Sequence, residues 1–170
     1  DDPMTRAQLI QMAKHNAAHV RARTIDLTPD VHRVPAEHYF DPQRWRLEMD
    51  RVFKRMPLML ALSIELPNPG DYRALEVAGV PVLLSRHSDG TVRAFVNMCS
   101  HRGAQIITES AGNTHRFTCP YHAWTYDQSG ALVAVYAKQD FGDIDMACNS
   151  LTPLPVAERA GMIWVTLDPK

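Results

Sequence analysis

A mainly β fold, an antiparallel sandwich or barrel with two helices ahead of it, is predicted by three features of the 170-residue sequence. Helical periodicity is confined to the first third of the chain. A proline then closes that region, and from Leu58 onward short β-rich runs alternate with turn residues, the pattern of a small antiparallel domain.

Residues 5–22 place Leu9, Met12, Ala13, Ala17 and Val20 at helical spacing, with Arg6, Gln8, Gln11 and Lys14 off the stripe. An irregular stretch from Thr24 to Tyr39 follows, broken by Pro29 and Pro35. Asp41 is a good N-cap and Pro42 suits the first helical position, so a second helix starts there. Its apolar face is Trp45, Met49, Val52, Phe53 and Met56, and Pro57 ends it. Glu48 among Arg44, Arg51 and Arg55 reads as an ion-paired surface.

The β region opens with Leu58–Leu66 and a turn at Pro67, Pro69, Gly70 and Asp71. Tyr72–Val77 and Val80–Ser85 flank Gly79, and Ser88-Asp89-Gly90 signals a hairpin into Thr91–Met98. Further runs are 114–118, 124–127, 131–135, 156–160 and 162–167. The expected organisation is a helical arm over residues 1–40 and one β domain over 41–170.

Composition narrows the function. Lys and Arg total 18 against 19 Asp and Glu, for a net charge of −1. That balance lacks the electrostatic footprint of a nucleic-acid or polybasic membrane binder. No apolar run approaches the roughly 18 residues of a membrane helix. Three Cys are too few for a disulfide scaffold, which points to a reducing cytoplasm.

Two of those Cys carry a His at short range. Cys99-Ser100-His101 and Cys119-Pro120-Tyr121-His122 form C-x-H-x17-C-x-x-H. With 8 His in 170 residues, a given offset from a Cys holds His about once in twenty by chance, so two such hits are a specific signal. Both pairs follow β runs, where a rigid sheet presents loops. Two thiolates and two imidazoles admit two sites: a tetrahedral zinc, or a two-iron, two-sulfide cluster with both Cys on one iron and both His on the other. Zinc ribbons usually pair ligands as C-x-x-C, whereas here each loop offers one ligand of each kind.

The stretches Cys99-Ser100-His101-Arg102-Gly103 and Cys119-Pro120-Tyr121-His122-Ala123-Trp124 resemble the two cluster-binding boxes of aromatic ring-hydroxylating oxygenase large subunits. The likeness runs over most of residues 35–170, through the Asp41-Pro42 helix with Glu48, the Pro69–Tyr72 turn, Asn97-Met98 and the closing 161–169 run. It implies a Rieske-type fold and one [2Fe–2S] cluster held by Cys99, His101, Cys119 and His122, with Arg102, Gly103, Tyr121 and Trp124 around it. It also implies a ferredoxin or reductase as electron donor. The acceptor would be a non-heme iron in a catalytic domain of the same or a neighbouring subunit, within a trimer-based oligomer, reached from the outer nitrogen of His122 through a carboxylate. Ala123 departs from the family's usual Gly, at a cost on the order of 1 kcal/mol if φ is positive there. Respiratory-complex Rieske proteins carry an extra Cys in each box; Gly103, Ala104 and Tyr121 stand in that neighbourhood here, which favours the low-potential, oxygenase-like branch.

The charge count explains the ligand choice. An oxidised 2+ core with two thiolates is neutral and becomes −1 on reduction, so it accepts an electron more easily than a four-thiolate cluster already at −2. The family's mononuclear-iron motif, D-x-x-H-x4-H, is absent because no two His are five residues apart. The chain is therefore expected to be the electron-transferring part of an oxidoreductase, unable to hydroxylate alone. The alternatives are a free-standing Rieske ferredoxin and a structural Cys2His2 zinc module.

The other candidates receive plainer readings. His15 and His19 stand i, i+4 on a helix but lack the Glu of H-E-x-x-H, so a surface or packing role is expected. His115 is a spare ligand only by its nearness to Cys119. Cys148 is expected to be a buried small apolar residue, Trp124 and Tyr126 to shield and pack a cluster rather than line an electron exit or partner surface, and Arg102 to dock an acidic donor or brace its loop.

Overall fold

The structure, a computed structural model, describes residues 5–169 and falls into two compact units, one up to Asp41 and one from Pro42 onward. In the first, α1 (Arg6–Ala22) is capped by Thr5, whose Oγ1 accepts from the Gln8 amide at 3.3 Å while the Gln8 side chain accepts from the Thr5 amide at 2.7 Å. Arg23 ends the helix in the left-handed conformation, φ 54°. None of its residues is buried, and Leu9, Met12 and Val20 of the expected apolar face are exposed. A short 3-10 turn, Ala36–Tyr39, completes this unit.

The second unit opens with α2 (Pro42–Glu48), shorter than its apolar periodicity suggests. Met49–Phe53 continues as one π-helical turn. Trp45 and Phe53, with ring centroids 6.4 Å apart, stand on a face that stays largely exposed. Arg44 and Glu48 pair at 2.7 Å, as the surface reading required.

Among the described residues ten strands follow in three antiparallel sheets, and none closes into a barrel. They are β1 (Leu58–Leu62), β2 (Asp71–Val77), β3 (Val80–Arg86), β4 (Val92–Val96), β5 (Ala111–Asn113), β6 (Arg116–Thr118), β7 (Thr125–Asp127), β8 (Leu132–Ala134), β9 (Val156–Arg159) and β10 (Met162–Val165). The orders are β1-β10-β9, β4-β3-β2-β5 and β6-β7-β8. Strand β5, rich in Gly and Asn, gave no β signal in the sequence and pairs with β2 through Asp71↔Asn113. The β2–β3 and β9–β10 hairpins turn on Ala78-Gly79 and Ala160-Gly161, all four with positive φ, the requirement of a two-residue I′ loop.

Strand β3 explains the layering. Val82 and Leu84 are fully buried on one face, in a core with Ala61, Val92, Ala94, Ile163 and Val165; Leu83 is fully buried on the other, with Phe95, Phe117, Tyr126 and Leu132. The four-stranded sheet is thus the middle layer, apolar on both faces, which is why β3 reads as a continuous run without alternation. Across one edge Arg86, 8% exposed, donates to both Glu158 carboxylate oxygens at 2.7 and 2.9 Å and to the Leu66 carbonyl. Among the described residues no helix is long and apolar enough to cross a membrane.

Candidate metal centre

Both Cys–His segments emerge from strand ends and take the same shape. The second is the β6–β7 hairpin loop, closed by the Thr118↔Thr125 pair. The Cys119 amide donates to the Trp124 carbonyl at 2.8 Å, and the Ala123 amide returns to the Cys119 carbonyl at 3.0 Å. The first loop, following β4 and Asn97-Met98, repeats this: the Cys99 amide donates to Ala104 at 2.8 Å, and the Gly103 amide to Cys99 at 2.9 Å. The fourth residue after each Cys takes positive φ, 72° at Gly103 and 54° at Ala123. Glycine adopts this freely; the Ala123 methyl carries the strain the sequence raised as a possibility.

Asn97 anchors the first loop. It is fully buried, donates to the Ile107 carbonyl at 2.8 Å and accepts from the Ile107 amide at 3.1 Å. It thereby ties the strand entering the loop to the segment leaving it. A polar residue closing an apolar run, Phe95-Val96-Asn97, was the available sequence signal for this role.

The four candidate side chains divide as their chemistry does. Cys99 and Cys119 are free thiols, each 3% exposed, in the core between the middle sheet and β6–β8. Burial, then the neighbouring Cys119, pushes the Cys99 thiol up, opposed by hydrogen bonding from Tyr126. Two thiolates side by side in this core are costly unless a cation compensates them. His101 and His122 lie outward, half-buried, with ring centroids 4.8 Å apart at 70°. Burial, then His122 and Arg102, pushes His101 down, which keeps the imidazole neutral and its lone pair free. His122 Nδ1 is buried without a hydrogen-bond partner. A buried nitrogen left unpaired beside two buried thiols fits a metal ligand and makes a poor packing residue.

The surroundings supply support. Tyr126, fully buried, places its hydroxyl 3.2 Å from Cys99 Sγ, 3.1 Å from the Ser100 amide and 2.9 Å from Ser100 Oγ. Sequence reading grouped Tyr126 with Trp124 as a packing aromatic; its hydrogen bond to Cys99, 27 positions away, is brought about only by the β7 register. Trp124, 3% exposed, stacks on His101 at 4.8 Å and 9°. Phe141 meets His101 edge-on at 5.4 Å. Tyr121 is 60% exposed beside His122, on a groove of about 500 Å³ shared with Tyr136, Asp140 and Phe141. Arg102 and Gly103 are exposed.

The other candidates are placed elsewhere. His115 is exposed. Cys148, expected to be buried, is exposed and donates from Sγ to Asp145 Oδ2 at 3.0 Å; a carboxylate three residues back gives the thiol a polar partner that the core cannot. His15 and His19 lie in the first unit, with Asp26.

The sequence profile of the Rieske [2Fe-2S] domain matches residues 56–150. Among characterised relatives, the glycine betaine monooxygenase oxygenase subunit of Chromohalobacter salexigens is 35% identical over 80% of this chain and 30% of its own length. The anthranilate 1,2-dioxygenase large subunit of Acinetobacter baylyi is 33% identical over 85% and 31%. The chain thus spans about a third of the length of these relatives. Among solved structures, naphthalene 1,2-dioxygenase from Rhodococcus sp. bound to indole aligns with a TM-score of 0.75 and 31% identity, over 97% of this chain and 36% of that one. A quaternary ammonium Rieske monooxygenase, studied for carnitine oxidation by gut microbiota and inter-subunit electron transfer, aligns at 0.74 with 32% identity over 79% and 37%. The paired loops, the buried thiols with outward imidazoles and these matches agree: the chain belongs to the Rieske [2Fe-2S] domain family, and its cofactor is a [2Fe–2S] cluster.

Proposed function

We propose that Cys99 and Cys119 hold one iron of the cluster and His101 and His122 the other, and that the domain over residues 41–170 relays single electrons within a Rieske oxygenase. The observation carrying this reading is the inner-thiol, outer-imidazole division, with a buried, unpartnered nitrogen on His122. When bound, the cluster supplies reversible one-electron storage at a potential above that of four-thiolate clusters.

The chain's own residues do the rest. The buried thiols are fixed by the two hydrogen bonds of each loop and by Tyr126, and Trp124 and Phe141 cover part of the half-buried His101 ring. The His122 edge borders the open groove, so electrons leave or enter on the imidazole side, where the barrier of protein is thinnest. The donor in this reading is a ferredoxin or reductase. The acceptor is a non-heme iron centre in a catalytic domain of the same or a neighbouring subunit, in a trimer-based assembly, consistent with the inter-subunit transfer described for the quaternary ammonium relative. Residues 1–40 are an arm appended to the relay domain.

Iron and acid-labile sulfide analysis with an EPR spectrum of the reduced protein tests this. Two irons and two sulfides per chain with a low-average-g signal are expected, and Cys119→Ala and His101→Ala abolish both. A colourless protein with one zinc, or a full cluster in either variant, overturns the assignment.

A further inference from the structure

The first unit carries a second cluster of ligating side chains with no part in the relay. His15 and His19 stand one turn apart on α1, and the chain leaving the helix turns back at Arg23 and Thr24 to bring Asp26 against them. His15 Nε2, His19 Nε2 and Asp26 Oδ1 form a nearly equilateral triangle with edges of 3.2, 3.0 and 3.1 Å. Asp26 Oδ2 lies 2.9 Å from His15 Nε2. The other nitrogen of His19, Nδ1, is 2.9 Å from Thr24 Oγ1, an outer contact that fixes the ring and leaves Nε2 to the triangle.

No placement of protons satisfies the three edges together. If each Nε2 carries a proton, both donate to Asp26, but two N–H groups then face each other at 3.2 Å. If one is bare, its lone pair faces a carboxylate oxygen at 3.0 or 3.1 Å. A cation at the centre satisfies all three donors at once. An ion about 2.0–2.1 Å from each donor sets donor–donor edges of about 3.3 Å in tetrahedral and about 2.9 Å in octahedral geometry. The observed edges lie between these values.

We propose that His15, His19 and Asp26 bind one divalent first-row transition ion, with zinc the probe of choice and water completing its coordination. Two imidazoles and one carboxylate suit zinc, copper, nickel or iron(II) and discriminate against magnesium and calcium, which prefer all-oxygen sites. His15 and Asp26 are exposed, so the ion enters from solvent. Bound there, it ties the C-terminal half of α1 to the segment after it.

Equilibrium dialysis of the untagged, cluster-loaded chain against zinc, with elemental analysis, tests the site. One zinc per chain is expected in addition to an unchanged iron content, and an excess of magnesium should not displace it. Asp26→Asn weakens zinc binding by about tenfold or more, and the His15→Ala/His19→Ala pair abolishes it with the visible spectrum intact. Alanine favours the helix, so this variant folds. Zinc retained in the double variant, zinc gained at the expense of iron, displacement by magnesium, or loss of zinc in Cys148→Ser would each overturn the assignment.

Discussion

Replacing Tyr126 by Phe removes one oxygen from a fully buried ring and tests how the inner iron is tuned. Ser100 Oγ lies 2.7 Å from the Asn149 carbonyl, which can only accept, so the serine proton is committed there. The Tyr126 proton then has two acceptors, Ser100 Oγ at 2.9 Å and Cys99 Sγ at 3.2 Å. Once Cys99 is a metal-bound thiolate, the anion is the stronger acceptor. Burial pushes Tyr126 up to about 12, so the hydroxyl keeps its proton throughout the working range. A hydrogen bond to a charged group contributes about 1.5–3 kcal/mol. Only the share of the added electron reaching this sulfur separates the reduced from the oxidised state; at about a third, the difference is about 0.5–1 kcal/mol. For a one-electron couple that is about 20–40 mV. Tyr126→Phe should therefore lower the midpoint potential by about 20–40 mV in an EPR-monitored redox titration. It should also lower stability, because the Ser100 amide loses its acceptor. A potential that rises, or stays within about 10 mV, refutes the argument and places the proton on Ser100 Oγ.

Three further outcomes follow from the packing. Ala123→Gly relieves about 1–2 kcal/mol of left-handed strain and restores about 0.4–1 kcal/mol of unfolded-state entropy, so it should stabilise by roughly 0.5–1 kcal/mol, about 1–4 °C in thermal unfolding. Asn97→Leu strands the buried Ile107 amide, while Gln105 Nε2 still donates to the Ile107 carbonyl at 2.9 Å, and should cost about 1–3 kcal/mol, read as a lower urea midpoint at unchanged slope. The Arg86 guanidinium holds the Glu158 carboxyl down at about 2 from an ordinary 4.5. Because the folded value is the lower one, this pair stabilises fully above pH 4.5 and its contribution fades as pH falls toward 2. Glu158→Gln should give a shallower loss of stability across that window in pH-dependent unfolding, and an unchanged slope would count against the pair.

How much the sequence revealed depended on whether the signal was local. The Cys-x-His and Cys-x-x-His spacings are short-range patterns, and so are the breaks between β runs at Gly79 and Gly161 and the start of α2 at Pro42. Each depends on a few neighbouring residues and can be read without knowing the fold. Strand β5 escaped because Ala-Gly-Asn has no intrinsic β preference and is held by pairing with β2. The second helix read too long because periodicity cannot distinguish an α-turn from the π-turn at Met49–Phe53. Cys148 was misplaced because burial was inferred from residue type, while its Asp145 partner decides the outcome.

The sequence by itself determined the set of donors on offer, since two thiols and two imidazoles at that spacing restrict the choice of metal group whatever surrounds them. It also determined the β character and the turn that each loop must make. Tertiary structure alone decided which groups are dry and which are wet. That the middle sheet and β6–β8 bury Cys99 and Cys119 while leaving His122 at a groove is a property of layers distant in sequence. Tyr126 reaching Cys99 across 27 positions and Asp26 folding back onto His15 and His19 arise the same way. The physical reason is that coordination chemistry is carried by the side chains, whereas solvation and hydrogen-bond partners are fixed only when the chain packs.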